Sequence, residues 1–378
     1  MPMKKIIINH TVKGTAAILT LFLLLFPTAK TAASSILEKP TLKVLDIGNS
    51  YTIDATNLLP LIAEASGSDL STICIYRTNR GGGSFKNWYD VYHDCDDYPY
   101  TVRKVTGGLP SSCPTGNGTA MDGSLFRRVL TEDTWDLVII HPLSLYAPYY
   151  EQWNLPESAS GYLDELLALI RQHQPTAEIG FEIVHSFWSD YTANTEHSSL
   201  LRWEKIADSA RRFCSDYGID FVIPYGTAIQ NLRSSSLNNE YDLTRDGTHC
   251  CMGLGQYTAA CCYYEALIAP RSGITVLGNP ARYDASGDVF TYPSVSVTDE
   301  NALVAQVAAV LAVEDWYSVR NPEDYIHILS VAPAGTPSFS HPSRSSGIYD
   351  LQGRRLDHEP ERGVYIKDGR KYVRTRGD

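Results

Sequence analysis

From residue 42 onward, short apolar runs alternate with longer segments in which apolar residues recur every three or four positions. The short runs predict buried β-strands, and the longer segments predict amphipathic helices. The predicted strands are Leu42–Ile47, Ser71–Tyr76, Leu137–Ile140, Glu178–Val184 and Phe221–Ile223. The longest predicted helices are Tyr162–His173, Leu201–Tyr217, Leu254–Ile268 and Asn301–Val313. This order predicts a three-layer α/β/α domain whose central, five-stranded parallel sheet is covered on both faces.

Two stretches interrupt the alternation. Residues 84–125 show no clear period and hold aromatic residues among turn-forming residues, so we expect an insertion over the edge or the active face of the sheet. Residues 270–298 are marked by glycine and proline and are expected to form loops and short β structure. We therefore predict one domain over residues 37–320 and a linker over residues 321–340.

The N-terminal residues 1–33 carry four lysines and no acidic residue, with an almost unbroken apolar run from Ala16 to Phe26. This combination predicts a secretory signal peptide that is cleaved after Thr31-Ala32-Ala33. The run is shorter than the ~20 residues of a membrane span, and a retained N-terminal anchor is the alternative. We expect a secreted or periplasmic protein, with the cell surface as a further option and no membrane association after cleavage.

The net charge narrows the possible partners. Of 378 residues, 43% are apolar and 20% are charged, as in ordinary globular proteins. The formal net charge is −11, and residues 34–340 alone carry −18. This sign argues against proteins that bind nucleic acid or anionic membranes through their phosphates. Nothing in the sequence fixes the oligomeric state.

The eight cysteines allow three interpretations. Export would permit disulfides, and Cys95 and Cys113 bracket a stretch that a bridge could staple. The adjacent pairs Cys250-Cys251 and Cys261-Cys262 suggest zinc, but neighbouring thiolates lack the spacing with which two side chains reach one ion. Small buried apolar residues, with one bridge among them at most, are the default interpretation. No metal is therefore expected.

Two features carry candidate chemistry. Ser50 follows the first predicted strand, and the carboxyl ends of parallel strands are where ligands bind. A serine before a helix is more often a cap. Asp246 precedes His249 by three residues in a glycine-containing turn, where the carboxylate can fix the orientation of the imidazole. A hydroxyl nucleophile needs such a base to take its proton.

Three blocks of the sequence resemble the SGNH/GDSL hydrolases, and within them a subgroup of secreted bacteroidal proteins. The blocks are Leu45–Thr52 (LDIGNSYT), Val222–Asn231 (VIPYGTAIQN) and Thr244–His249 (TRDGTH), the last followed by Gly253–Tyr257. The blocks cover roughly residues 42–268, with Asn49 in place of the usual aspartate. The resemblance implies a flavodoxin-like fold in which Ser50 is the nucleophile, His249 the base and Asp246 its orienting acid. It implies no cofactor.

The resemblance also implies an oxyanion hole with three donors. The first is the backbone N–H of Ser50, and the second is a glycine N–H after the second strand, for which we select Gly82 from residues 81–83. The family's third donor is an Asn or Gln side chain after the third strand. This chain has His141-Pro142 there, so His141 is the candidate, with an ordinary strand-end histidine as the alternative.

The residues carry less information about the substrate than about the fold or the candidate nucleophile. Aromatic residues near the predicted strand ends suggest stacking on sugars, although each alone is more often packing: Trp88, Tyr89, Tyr146, Tyr149, Tyr150, Trp153 and Trp188. We expect an esterase that removes acetyl groups from an O-acylated glycan. A general carboxylesterase or thioesterase acting on small esters, or a degenerate glycan-binding module, is the alternative. The expected substrate contacts are Asn49, Tyr51, Tyr146, Trp188 and Arg245, with His185 as a weaker candidate.

The tail, residues 341–378, alternates apolar and polar residues between glycine turns. This pattern predicts a small antiparallel β unit. Its segments Ser346–Leu356 and Arg362–Val373 are also similar to the C-terminal sorting-type segment of secreted bacteroidal proteins. That resemblance implies export or surface handling and no chemistry, and a β module without a sorting role is the alternative.

Overall fold

The computed structural model describes residues 35–326 and four short strands in the tail. The chain divides into two compact units, residues 1–332 and 333–378. The predicted signal peptide and residues 327–340 of the predicted linker lie outside the described residues.

The first unit contains a seven-stranded sheet in the order β4-β3-β2-β1-β5-β6-β7. Its strands are β1 (Leu42–Gly48), β2 (Ile73–Arg80), β3 (Tyr100–Thr106), β4 (Gly116–Gly118), β5 (Leu137–Ile140), β6 (Glu178–Glu182) and β7 (Phe221–Ile223). The strands β1, β2, β5, β6 and β7 run parallel. They are the five predicted from the apolar runs, so the expected α/β architecture is confirmed.

The two additional strands come from the stretch without a clear period. Strand β3 pairs antiparallel with β2, and β4 pairs antiparallel with β3 at the edge of the sheet. Tyr100 and Val102 of β3 are buried, whereas Arg103 and Lys104 are exposed. Charged residues are common near a sheet edge, where they discourage pairing with other chains. In β3, Arg103 and Lys104 interrupt the alternation of apolar and polar residues by which the strand would have been predicted from the sequence.

Helices flank the sheet, and several begin one or two residues from their predicted starts. They are α1 (Ser50–Thr56), α2 (Leu59–Ala65), α3 (Phe85–Tyr92), α4 (Ser124–Thr131), α5 (Leu163–His173), α6 (Ser199–Tyr217), α7 (Tyr225–Arg233), α8 (Leu254–Leu267), α9 (Ala269–Ser272) and α10 (Asp299–Glu314). Short 3-10 turns occur at Ser35–Glu38, Tyr150–Gln152 and Pro322–Tyr325. No helix among residues 35–326 combines the length and apolar character needed to cross a bilayer.

Helix α8 lies at the centre of the helical packing. It contacts α1, α2, α7 and α10, and all but one of its residues are buried. Cys261 and Cys262 are fully buried within it, as expected of small apolar residues. All eight cysteines fall within residues 35–326 and are free thiols. The proposed Cys95–Cys113 bridge is therefore not formed, since Cys95 is exposed and Cys113 is buried elsewhere in the unit. The described residues also hold no metal-binding cluster.

Two carboxyl groups are buried where strands β1 and β6 meet helix α8. Asp46 of β1 and Glu182 of β6 are fully buried, and the hydroxyl of Tyr263 from α8 hydrogen-bonds to both. Burial raises the pKa of Asp46 to about 7. Burial and the neighbouring Asp46 also raise the pKa of Glu182 well above its usual range. The two groups are thus held in a site that favours their protonated forms.

This pair predicts a pH dependence of stability. Because the folded chain keeps its proton on Asp46 where the unfolded chain has lost it, the free energy of unfolding should fall as pH rises from about 4 to about 7. Asp46→Asn should flatten this decline, and urea unfolding at pH 5 and pH 8 would measure it. The exposed Asp97→Asn is the matched control. A decline of the same size in wild type and Asp46→Asn would contradict the assignment.

The second unit contains four short strands that pair antiparallel in the order β11-β10-β8-β9. They are β8 (Ile348–Tyr349), β9 (Arg355–Leu356), β10 (Gly363–Lys367) and β11 (Arg370–Arg374). The small β module expected from the alternation in the tail is therefore present.

Candidate active site

Ser50 lies where the central strand β1 meets helix α1. Asn49 caps α1, because its side-chain oxygen accepts the N–H of Tyr51 at 2.9 Å, while its amide donates to the Gly83 carbonyl at 2.8 Å. Gly48 is required just before this turn, since a Cβ atom there would lie 1.9 Å from the Thr52 hydroxyl oxygen. The turn therefore places Ser50 at the carboxyl edge of the sheet, as predicted.

Ser50, His249 and Asp246 form a continuous chain of hydrogen bonds. The hydroxyl oxygen of Ser50 lies 2.8 Å from Nε2 of His249, and Nδ1 of His249 lies 2.7 Å from Oδ2 of Asp246. If Nδ1 carries the proton and donates to the carboxylate, Nε2 is free to accept the proton of Ser50. This is the arrangement of a serine nucleophile, its base and an orienting acid.

Asp246 is held in its charged form. Its burial opposes ionisation, but hydrogen bonds from the side chain and backbone of His249 outweigh this cost and hold the pKa of Asp246 well below its usual range. The other carboxylate oxygen accepts the backbone N–H of His249 at 2.8 Å and that of Thr248 at 3.0 Å. Asp246 thus organises the loop that carries the base as well as the imidazole itself.

Tyr51 and His185 both form hydrogen bonds to the loop that carries Asp246 and His249. Their rings stack with centroids 4.6 Å apart, and both side chains bond to the Thr248 carbonyl, at 2.5 Å from the Tyr51 hydroxyl and 2.7 Å from Nε2 of His185. Both residues are buried. Burial and the nearby Arg233 lower the pKa of His185, so it stays neutral and donates. Tyr51 and His185, expected to contact substrate, are instead committed to the loop.

Arg245 is also committed to internal contacts. Its guanidinium donates to Oδ1 of Asp54 at 2.7 Å and to the Cys250 carbonyl at 2.6 Å. Asp54 is fully buried on α1 and further accepts the N–H of Cys250 at 3.0 Å and the amide of Gln256 at 2.9 Å. These bonds join helix α1, which begins at Ser50, to the loop that carries His249, so Arg245 contributes to the relative position of the two.

Gly82 lies in a turn beside the nucleophile. The N–H of Gly83 donates to the Arg80 carbonyl at 2.8 Å, and Gly82 has φ +62° with open space around its Cα. Glycine adopts this left-handed conformation without strain. The bond from Asn49 to the Gly83 carbonyl ties this turn to Ser50. Since the N–H of Gly83 is already used, Gly82 stays the better candidate for the second oxyanion donor.

The geometry does not support His141 as the third donor. Its Nδ1 lies 2.9 Å from the Pro142 carbonyl, and its Nε2 lies 2.9 Å from the Thr52 hydroxyl. The carbonyl can only accept, so Nδ1 carries the proton and Nε2 accepts from Thr52. Burial lowers the pKa of His141 to about 4, so the ring stays neutral near pH 7. It therefore has no proton to offer a developing oxyanion.

The predicted aromatic contacts divide by burial. Trp88 and Trp153 are core residues and cannot stack on a sugar. The other five predicted aromatics are partly exposed: Tyr89, Tyr146, Tyr149, Tyr150 and Trp188. Trp188 lies beside the loop that carries Asp246 and His249, the candidate catalytic loop, because its backbone N–H donates to the Gly247 carbonyl at 2.9 Å. Tyr146 follows β5, and its carbonyl accepts the indole N–H of Trp153 at 3.0 Å.

Sequence reasoning missed Asp54 as well as Tyr241 and Tyr292, which pack around Trp188. Asp54 could have been found, since it lies four residues after Ser50 and hence on the same side of a helix. Tyr241 and Tyr292 lie in segments without regular spacing, and their proximity to Trp188 depends on tertiary structure.

A family model described as a domain of unknown function, DUF4886, matches residues 43–286. This range includes Ser50, Asp54, Asp246 and His249, whereas Tyr292 lies beyond its end. No curated protein matches the chain.

This chain is similar to several solved structures, which differ in sequence identity, coverage and TM-score. A DUF4886 family protein from Bacteroides uniformis has 25% identity and a TM-score of 0.58, over 75% of this chain and 99% of that one. A proposed SGNH hydrolase from Slackia heliotrinireducens has 16% identity and a TM-score of 0.39, over 60% and 98% of the two chains. An extracellular lipase from Streptomyces rimosus has 12% identity and a TM-score of 0.26, over 50% and 83%.

Proposed function

The chain belongs to the DUF4886 family, and we propose that it is an SGNH/GDSL-type serine esterase that removes an acyl group, most simply acetyl, from a carbohydrate. The observation that carries this proposal is the chain of short hydrogen bonds from Ser50 through His249 to Asp246. Caps and structural serines have no need of an imidazole whose second nitrogen is held by a carboxylate.

The reaction follows from this geometry. The Ser50 oxygen attacks the ester carbonyl while its proton passes to Nε2 of His249, and Asp246 stabilises the resulting imidazolium. When the tetrahedral intermediate collapses, His249 returns the proton to the departing alcohol and the acyl group stays on Ser50. Water, deprotonated by His249, then releases the carboxylic acid and restores the serine. The N–H groups of Ser50 and Gly82 are the proposed donors to the oxyanion.

The carbohydrate part of the proposal has a separate basis. Partly exposed aromatic side chains lie next to the catalytic loop, with Trp188 bonded directly to it. Flat apolar faces suit the faces of sugar rings. We also propose that residues 1–33 direct export, which would place the enzyme where extracellular or periplasmic glycans occur.

A fluorophosphonate probe tests the nucleophile directly. Purified protein should hydrolyse p-nitrophenyl acetate, and the probe should block this activity by adding one phosphonyl group to Ser50, located by peptide mass spectrometry. His249→Ala should remove the labelling, because the serine then lacks its base.

Other results would separate the alternatives. Hydrolysis of aryl esters without release of acetate from any acetylated glycan would favour a general carboxylesterase. Absence of both labelling and ester hydrolysis would overturn the proposed activity and favour a glycan-binding module. Labelling on a serine other than Ser50 would overturn the assignment of the nucleophile.

A further inference from the structure

An aromatic surface, defined here as Trp188, Tyr241, Phe290 and Tyr292, lies beside the candidate active site. The rings of Tyr241 and Tyr292 stack with centroids 4.2 Å apart and planes 7° from parallel. The Trp188 ring meets them at 5.6 Å and 5.3 Å. Trp188, Tyr241 and Tyr292 come from three separate segments of the chain and form one continuous group of rings. Phe290 lies two residues before Tyr292 in sequence.

Backbone bonds hold this surface against the catalytic loop. The N–H of Trp188 donates to the Gly247 carbonyl, and the N–H of Tyr292 donates to the Arg245 carbonyl, both at 2.9 Å. The indole N–H of Trp188 is fixed by the Glu240 carbonyl at 2.8 Å. Gly247 immediately follows Asp246 in sequence. The aromatic surface therefore has a fixed position next to the acid and the base.

The surface is open to solvent. Phe290 is 46% exposed and its neighbour Val289 is 89% exposed, while the other three rings are partly exposed. Phe290 lies over the guanidinium of Arg245, 5.2 Å from ring centroid to carbon. An exposed apolar group of this size beside a catalytic loop favours a binding role over packing, since packing would bury it.

The charges around the rings are negative. Glu240 is exposed beside Tyr241, and Asp246 is charged in the catalytic loop. The cation Arg245 does not offset them, because it is paired with the buried Asp54. Carboxylates accept hydrogen bonds from sugar hydroxyls and repel uronates or sialates by like charge.

We infer that the aromatic surface binds a neutral, hydroxyl-bearing sugar ring in the alcohol part of the ester, and that the enzyme prefers acylated neutral glycans over acylated acidic ones. This inference rests on the proposed esterase function. The rings supply the stacking face, while Glu240 provides an acceptor and the discrimination against anions. The position beside Asp246 and His249 suits an alcohol that leaves from the acyl carbon at Ser50.

The test compares kcat/KM on three probes: acetylated cello-oligosaccharides, acetylated oligogalacturonates and p-nitrophenyl acetate. Wild type should favour the neutral sugar ester over the acidic one. In both Trp188→Ala and Phe290→Ala, the ratio of the neutral sugar ester to the aryl ester should fall about tenfold, as expected for one lost stacking face. Phe290 is about half exposed, so its replacement is expected to leave the fold intact even if Trp188→Ala does not. The control Tyr317→Ala removes an exposed ring that follows the end of α10 by three residues and should leave the ratio unchanged.

Charge is tested separately with Glu240→Gln, which should raise the relative rate on acetylated oligogalacturonates. Unchanged ratios in the Trp188 and Phe290 variants, with aryl ester hydrolysis intact in wild type, would overturn this inference alone. A wild-type preference for the acidic ester would do the same. Absence of hydrolysis of all three probes by wild type would overturn the proposed function and this inference with it.

Discussion

Ser50→Ala is expected to lower kcat on p-nitrophenyl acetate by about 10⁴-fold or more, because the hydroxyl is the group that attacks and no neighbouring atom can replace it. The variant should fold normally, since Ser50 is only partly buried and Asn49, not Ser50, caps α1. Its thermal midpoint should therefore match that of wild type. The combination of lost rate and retained stability is what distinguishes a nucleophile from a structural serine.

The control for this experiment is Ser71→Ala, which replaces an exposed serine in the loop before β2. It should retain the wild-type rate. Peptide mass spectrometry should also find no phosphonyl adduct at position 50 of Ser50→Ala after treatment with the fluorophosphonate. A rate for Ser50→Ala within tenfold of wild type would refute the assignment, whatever the behaviour of His249.

Asp54→Asn is expected to have the second largest effect, on both stability and rate. The substitution leaves the guanidinium of Arg245, with 13% of its side chain exposed, without its counterion. Breaking a buried ion pair in this way costs about 3–5 kcal/mol. The variant should therefore unfold at a clearly lower urea concentration.

The rate should fall because Asp54 fixes the spacing between Ser50 and His249. A displacement of about 1 Å costs roughly 100-fold in rate, so we expect a loss of that order in kcat, measured on protein shown to be folded by circular dichroism. Glu132→Gln is the matched control, since Glu132 pairs with Arg128 at 2.6 Å on the surface, where such pairs contribute about 0–1 kcal/mol.

A double variant, Asp54→Asn with Arg245→Gln, makes the test sharper. Removing both charges avoids the uncompensated buried guanidinium, so stability should partly recover. If positioning is the main role of the pair, kcat should remain low after stability has recovered. Recovery of kcat in parallel with stability would show that the effect of Asp54 on rate is only structural.

The sequence was most informative where one physical requirement dominates. The five parallel strands are continuous apolar runs because both faces are covered, and this pattern survives without any knowledge of tertiary contacts. The Ser50 turn and the Asp246–His249 loop were identifiable because their residues act over short spacings. Strand β3 escaped because Arg103 and Lys104 interrupt its alternation.

The expectations for three site residues differ from the observed hydrogen bonds for one physical reason. Arg245, Tyr51 and His141 are polar residues near strand ends, and a sequence does not reveal whether such groups face a ligand or another part of the chain. Here they bond to Asp54, the Thr248 carbonyl and Thr52, respectively. These partners are distant in sequence for each of the three, so no local spacing could have indicated them.

The separation between the nucleophile and its base also bears on how the chain folds. Ser50 and His249 are 199 positions apart, and Asp54 bonds to residues about as far away. Contacts of this kind form only after a large loop has closed, which makes them slow and entropically costly. The base and its acid, in contrast, belong to a single local turn. The bond between Asp246 and His249 therefore needs no large loop to close, whereas Ser50 has no partner for its proton until helix α1 and the Asp246–His249 loop have come together.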